Sequence, residues 1–118
     1  NQQKIKFKDH EKRFSKKLIN KNSFIYILKN KKLNLGQARI DMNNSNKGVI
    51  TYSISNEFRG QNIGYRLIKL LLLKVKKNIS LLAKVRKNNI ASKKIFKKCG
   101  FLIKKDSRGK YFNCYLKT

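Results

Sequence analysis

A short loop, Arg59-Gly60-Gln61-Asn62-Ile63-Gly64, contains the residues with the clearest chemical potential, and it runs directly into an apolar-faced helix. The glycines allow the backbone to turn tightly and to approach a ligand closely. At a helix N-terminus the unpaired N–H groups and the positive end of the dipole both face such a ligand. The loop therefore predicts a site that binds phosphate through backbone amides.

The elements around this loop follow from hydrophobic periodicity. Residues 48–55 are typical of a strand, and an apolar stripe at i, i+3, i+4, i+7, i+8 and i+11 predicts the helix after the loop. The stripe consists of Gly64, Leu67, Ile68, Leu71, Leu72 and Val75. A short strand is predicted at 81–85, so the intervening helix forms a βαβ crossover and the two strands should run parallel.

The N-terminal part is predicted to contain one helix and two strands. Asp9 is suited to cap a helix that runs to about residue 20, with Phe14 and Leu18 on one face. Strands are predicted at 23–28 and 33–42, and together with 48–55 they form an antiparallel meander. Gly36 is expected at a bulge or at a close approach of two backbones.

A second motif lies after the strand at 81–85. Asn89 is followed by a small residue, Ser92, then by Phe96, and finally by Gly100-Phe101. An apolar stripe predicts a helix here, and Gly100 is suited to end it. Strands at 101–105 and 110–116 are predicted to form a closing hairpin.

Together the two motifs resemble the GNAT family of N-acetyltransferases. The family loop has Arg or Gln, two residues, Gly, one residue, and then Gly or Ala. Arg59, Ile63 and Gly64 fit this pattern, whereas Asn62 stands where the first Gly is expected; Asn tolerates left-handed backbone angles better than most residues. The second motif lies one helix and one strand later, as in the family.

The resemblance implies a fold and a cofactor. The fold is α/β of mixed α+β type: a mostly antiparallel central sheet with one splayed parallel pair and helices on both faces. Residues 1–118 are expected to form one such domain that lacks the family's first strand and helix. The resemblance also implies that acetyl-CoA binds in the splayed cleft. The implied cofactor-binding residues are Ile54, Arg59, Gly60, Gln61, Asn62, Ile63, Gly64, Tyr65, Asn89, Ser92 and Phe96.

The implied reaction is direct transfer of acetyl from the thioester to an amine. Asp41 is the candidate to hold or deprotonate that amine, although a structural role at a strand end fits it equally well. Tyr52 and Ser53 are candidates to orient a water molecule. Glu57 and His10 are more typical of solvated side chains. Many family members have a tyrosine acid where this chain has Phe96, so thiolate release is expected to rely on water or another hydroxyl.

The acceptor is the least constrained feature. Gly36, Arg39 and Asp41 are similar to residues of acetyltransferases that act on nucleotide-linked amino sugars, as in the pseudaminic acid pathway. Arg39 is suited to pair with an acceptor phosphate. The alternatives are a protein or peptide N-acetyltransferase, or a basic nucleic-acid-binding module with a vestigial cofactor site.

Composition limits the remaining function classes. The net charge is +26, which either favours an anionic partner or reflects A/T-rich codon usage, since 25 of the 31 basic residues are Lys. Nucleic acid is expected to bind only non-specifically. Two cysteines and one histidine do not predict a disulfide framework or a metal site. We expect reduced thiols, a cytoplasmic location, no membrane segment, and a monomer or homodimer.

Overall fold

A computed structural model of the chain describes residues 12–60 and 62–118. A single seven-stranded sheet has the order β1-β2-β3-β4-β5-β7-β6. The strands are β1 (Lys12–Asn20), β2 (Ser23–Asn30), β3 (Leu33–Met42), β4 (Lys47–Ile54), β5 (Ser80–Arg86), β6 (Leu102–Lys105) and β7 (Tyr111–Lys117). The helices are α1 (Ile63–Lys74) and α2 (Ile90–Lys98), and a 3₁₀ turn spans Asn56–Phe58. This arrangement confirms the predicted mixed fold.

The predicted helix at 9–20 is wrong, because its described part is the strand β1. Phe14 lies opposite Leu28 and Lys16 opposite Tyr26 in an antiparallel pair with β2. The Phe14 ring stacks on the Tyr26 ring with centroids 5.2 Å apart. Residues at i and i+4 share a face in a strand as well as in a helix, so the spacing of the apolar residues did not discriminate. The proposed cap at 9 and the histidine at 10 lie outside the described residues.

The remaining strands lie close to their predicted positions. The meander β2-β3-β4 is antiparallel throughout, and the pair β4-β5 is parallel, as the crossover predicted. A Cβ atom at Gly36 would lie 2.9 Å from the carbonyl oxygen of Ser53. Gly36 is therefore needed for the close approach of β3 and β4, one of the two roles expected for it.

Strands β4 and β5 separate soon after they meet. They pair only from Lys47 to Val49 on β4 and from Ser80 to Leu82 on β5, although β4 continues to Ile54 and β5 to Arg86. Beyond Val49, the backbone groups of β4 that point towards β5 have no β5 partner in the ladder. A wedge-shaped gap therefore opens between the two strands.

Both helices cover the same face of the sheet. The Tyr52 side chain of β4 contacts Ser92 of α2, and its ring lies 3.4 Å from the position of a Cβ at Gly64 of α1. The core lies beneath the helices and includes Leu67, Ile68 and Leu71 of α1 and Phe96 of α2. The expectation of helices on both faces is thus not met in the part of the chain that the structure describes, since its N-terminal part is a strand. Neither α1 nor α2 is long and apolar enough to cross a membrane.

Candidate active site

The N-terminus of α1 is built to leave its amides open. Asn62 adopts left-handed angles (φ 64°, ψ 19°) as the N-cap, and its side chain makes no capping hydrogen bond. Gly60 is also left-handed, with φ 80°. The side chain of Phe58 is buried and anchors the loop to the core. The first-turn amides of α1 have no intrahelical partner, so they remain available to an anion.

Gly64 serves helix packing. A Cβ atom at this position would lie 2.7 Å from the Cδ1 atom of Ile95 on α2. Its φ is not left-handed, in contrast to that of Gly60. The small residue therefore brings the start of α1 against α2, which places the loop beside Asn89 and Ser92.

The side chain of Asn89, the N-cap residue, caps the N-terminus of α2. The Oδ1 atom of Asn89 accepts a hydrogen bond from the Ser92 amide at 3.1 Å. Because this oxygen is occupied, Asn89 can offer a ligand its Nδ2 donors. The two helices therefore differ: α1 leaves its first amides uncapped, and α2 uses a side chain to satisfy one of its own.

A hydroxyl pair connects β4 to α2. The Tyr52 Oη and Ser92 Oγ atoms lie 2.5 Å apart, across 40 residues of sequence. Burial raises the pKa of Tyr52 above its ordinary value, and the hydrogen bond to Ser92 offsets part of this shift. The phenol is therefore protonated at neutral pH.

The ring of Phe96 packs against the Tyr52 ring of this hydroxyl pair. Its ring is 1% exposed and meets the rings of Tyr52 and Phe101 edge to face, at centroid distances of 5.7 and 5.0 Å. The amides of Gly100 and Phe101 donate to the carbonyls of Lys97 and Phe96, and Gly100 has φ 94°. This is a Schellman motif, which explains the Gly-Phe pair that ends the second sequence motif.

These parts enclose a cavity of about 570 Å³ between β4, the loop and the start of α2. Most of the predicted site residues line it. They are Tyr52, Ser53, Ile54, Arg59, Gly60, Asn62, Ile63, Gly64, Tyr65, Asn89 and Ser92. Gln61 lies outside the described residues. Phe96 does not line the cavity, but its ring contacts that of Tyr52, which does.

Sequence reasoning missed three lining residues: Phe58, Ala91 and Ile95. Ile95 belongs to the apolar stripe of α2, and Ala91 follows the motif asparagine by two positions. Both could have been found from their distance to Asn89. Nothing in the sequence marks Phe58, because a lone apolar residue in a polar loop does not reveal which way it points.

Asp41 lies away from this cavity. Its Oδ1 atom accepts hydrogen bonds from the Ser23 hydroxyl at 2.6 Å and from the Arg39 Nε atom at 2.9 Å. These contacts, the Ser23 bond first, lower the pKa of Asp41. Asp41 pairs in register with Val49, whereas Ile54 at the cavity pairs with Gly36, five positions along β3. Because the Asp41 carboxylate already accepts these hydrogen bonds and lies away from the cavity, it is poorly suited to remove a proton from an amine there.

A second, shallow concavity of about 240 Å³ lies on the sheet face that the helices leave open. Gln37, Arg39 and Thr51 line it, together with the same Tyr52 and Ser53 that border the main cavity. The β4 backbone is therefore a shared wall. Arg39 donates to Asp41 through Nε, and no described residue is bonded to its terminal nitrogens.

A further concavity of about 820 Å³ lies between α1, the strands β1 and β2, and the C-terminal end of α2. Leucines of α1 and β2 form much of its lining, and of the predicted site residues only Tyr65 reaches it. Neither the loop before α1 nor the hydroxyl pair of Tyr52 and Ser92 lines it. In the described part of the chain no three His, Cys, Asp or Glu side chains come together as a metal site, and both cysteines are free thiols.

Several solved structures, among them structures of acetyltransferases, share this fold. The N-acetyltransferase PseH of Campylobacter jejuni in complex with acetyl coenzyme A aligns with a TM-score of 0.68 and 18% identity, over 84% of this chain and 70% of that one. The ribosomal-protein-S5-alanine acetyltransferase of Vibrio fischeri gives 0.69 and 16%, over 80% and 61%. A domain from Methanocaldococcus jannaschii gives 0.67 and 22%, over 85% and 70%.

The chain thus spans between 61 and 70% of the length of these structures. None of the curated proteins matches its sequence. A sequence model of the acetyltransferase (GNAT) family matches residues 2–101, which is most of the chain. The chain therefore belongs to the acetyltransferase (GNAT) family.

Proposed function

We propose that this protein is an acetyl-CoA-dependent N-acetyltransferase whose acceptor is a primary amine on a phosphate-bearing small molecule, such as a nucleotide-linked amino sugar. The observation that carries the proposal is the cavity in which uncapped α1 amides lie beside the open side of β4. The residues present fit the cofactor, because the amides suit a pyrophosphate and the gap admits an extended arm.

The amides of Ile63, Gly64 and Tyr65 would donate to the pyrophosphate, and Arg59 would add a positive charge at the mouth. The backbone groups of β4 left without a β5 partner would bind the extended arm in the way that a neighbouring strand does. Asn89 Nδ2 would donate from the other side. When bound, acetyl-CoA supplies an activated acetyl thioester.

No described carboxylate lines the cavity, since Glu57 is exposed on the 3₁₀ turn and Asp41 lies elsewhere. The amine must therefore arrive neutral or lose its proton to water. Ser53, at the wall shared with the open face, is the candidate to hold that water. The hydroxyl pair of Tyr52 and Ser92 lies on the other side of the same strand.

The open-face concavity supports the phosphate-bearing acceptor. Arg39 lines this concavity, and its backbone lies opposite Thr51 in the β3–β4 ladder. A guanidinium that is held through Nε keeps its fork of donors for a phosphate. The likeness of Gly36, Arg39 and Asp41 to acetyltransferases of nucleotide-linked amino sugars points the same way.

A panel of amines tests this proposal: nucleotide amino sugars, their unphosphorylated counterparts, polyamines, amino acids and N-terminal peptides, scored by thiol release from acetyl-CoA. We expect phosphorylated amines to have the highest kcat/KM. Arg39→Gln should lower that value about tenfold to hundredfold, the range for a hydrogen bond to a charged group. It should leave the unphosphorylated counterparts unchanged.

The matched control is Lys76→Gln, which removes one positive charge beyond the C-terminal end of α1 and should have little effect. Turnover on peptides alone would refute the proposed acceptor and favour a protein N-acetyltransferase. Absence of acetyl-CoA binding, combined with sequence-selective binding of nucleic acid, would favour the basic module with a vestigial site.

A further inference from the structure

The hydroxyl groups of Tyr52 and Ser92 carry two hydrogens, and the hydrogen bond between them uses only one. Each hydroxyl has a single hydrogen to donate, and the 2.5 Å contact between them needs only one. Neither oxygen has another side-chain partner among the described residues. Both residues line the main cavity, and Ser92 is only 9% exposed. One O–H group is therefore left to donate into the cavity.

The pair is held in place from both sides. The Ser92 amide is bonded to the Asn89 side chain at 3.1 Å, and the Tyr52 ring meets the edge of the Phe96 ring. Tyr52 lies two residues from Ile54, in the direction of the point where β4 and β5 pair. An arm anchored by its phosphates at the loop would enter the gap and end beside this pair.

We propose that the Tyr52–Ser92 pair donates its spare hydrogen bond to the sulfur of acetyl-CoA and stabilises the thiolate as it leaves. This inference rests on the proposed function. The amine nitrogen bonds to the carbonyl carbon, the C–S bond breaks, and its electron pair stays on sulfur. The nitrogen loses one proton to water, and the sulfur takes one from water. The pair keeps both of its protons.

Hydrogen bonding fits this pair better than proton transfer does. An unperturbed tyrosine titrates near ~10 and an unperturbed thiol such as that of cysteine near ~8.5, and burial raises the pKa of Tyr52 further above its ordinary value. A proton would therefore move uphill from the phenol to the thiolate. The neighbouring titratable groups are the thiols of Cys99 and Cys114, whose pKa values burial raises, that of Cys114 to about 11. Both are neutral at pH 7, and the positively charged side chain at the cavity is that of Arg59.

The test compares the affinities of CoA and acetyl-CoA between pH 7 and pH 10. Acetyl-CoA has the same phosphates but no free thiol, so the ratio of the two dissociation constants isolates the thiolate. In the wild-type protein CoA should gain affinity relative to acetyl-CoA as its thiol ionises. In the double variant Tyr52→Phe/Ser92→Ala that gain should fall about tenfold to hundredfold.

Single variants and a control complete the experiment. Tyr52→Phe and Ser92→Ala each keep one hydroxyl, so each should give an intermediate gain, and they replace the double variant if it does not fold. Tyr115→Phe removes a phenol on the open face of the sheet and should behave as the wild type. Equal gains in the wild type and in the variants would overturn the thiolate contact alone. A wild-type protein that binds neither ligand would overturn the proposed function itself.

Discussion

Phe96 shows how one residue can shape a site that it does not line. Its ring fills the space between Tyr52 and Phe101, and Tyr52 in turn contacts Ser92. The helical stripe predicted that Phe96 is part of the core. It did not predict that this ring contacts the Tyr52 ring of the hydroxyl pair, because that contact depends on how α2 lies on the sheet.

Replacement of Phe96 by Ala should remove this support. We expect a loss of about 3–5 kcal/mol in the free energy of unfolding, as for other buried aromatic residues. Chemical denaturation measures this loss, and Phe112→Ala serves as the control because that ring is only partly buried. Equal losses in both variants would mean that Phe96 has no special place in the core.

Contacts between residues that are far apart in the sequence cannot be predicted from local sequence patterns. Asn62 and Gly100 were predictable, because Asn and Gly are the residues that adopt left-handed angles most readily. The partner of Tyr52 lies 40 residues away, and the Ser23 partner of Asp41 lies 18 residues away. No local pattern encodes such pairs, so only the structure shows that Asp41 is poorly suited to act as a base.

At the scale of elements, the first turn of α1 is the part to which we assign the pyrophosphate of the cofactor in the proposed function. Tyr65 lies in this turn, three positions after the N-cap residue Asn62. A carboxylate at this position interacts favourably with the helix dipole and at the same time repels a pyrophosphate. Stability and binding should therefore change in opposite directions.

We expect Tyr65→Glu to fold and to bind acetyl-CoA at least about tenfold more weakly than Tyr65→Gln, equivalent to ~1.4 kcal/mol or more. The glutamine variant controls for the loss of the ring, which lies 5.2 Å from Lys69 and 4.8 Å from Lys98. Calorimetric titration measures the affinities. Equal affinities would show that phosphate does not lie at this helix end. Gly64→Glu is less informative, since its side chain would collide with Ile95.

Most elements could be predicted because their patterns are unambiguous. The stripe that predicts α1 has helical period from i to i+11, and the strands of the meander are rich in branched and aromatic residues. The strand β1 could not be predicted, because Lys and Arg favour helices and its apolar residues fit the helical period as well as the strand period. Pairing with β2 decided its conformation, which is a tertiary effect that propensity does not include.

For the whole molecule the charge is the dominant quantity. The net charge is +26, and Arg39–Asp41 is the ion pair found within the described ranges. The cations therefore remain mostly unneutralised and create a field that attracts any anion. Such a field aids a phosphorylated ligand without making nucleic acid a specific partner.

We expect the protein to bind duplex and single-stranded nucleic acid weakly and without sequence preference. The binding constant should fall steeply between 50 and 500 mM salt, since each neutralised phosphate contributes about 0.7 to 0.9 to the logarithmic slope. Fluorescence anisotropy with scrambled and strand-matched oligonucleotides measures both effects. A clear preference for one sequence or strand type that persists at high salt would favour a nucleic-acid-binding function.

The gap between β4 and β5 would give a ligand bound there a structural role. Since β4 extends beyond Val49 with one side open, a bound arm would act as an eighth, non-protein strand of the sheet. A ligand that binds only the folded state stabilises it by RT ln(1 + [L]/Kd), about 2.7 kcal/mol at a hundredfold excess over Kd. The thermal resistance of this protein would then follow the supply of its own substrate.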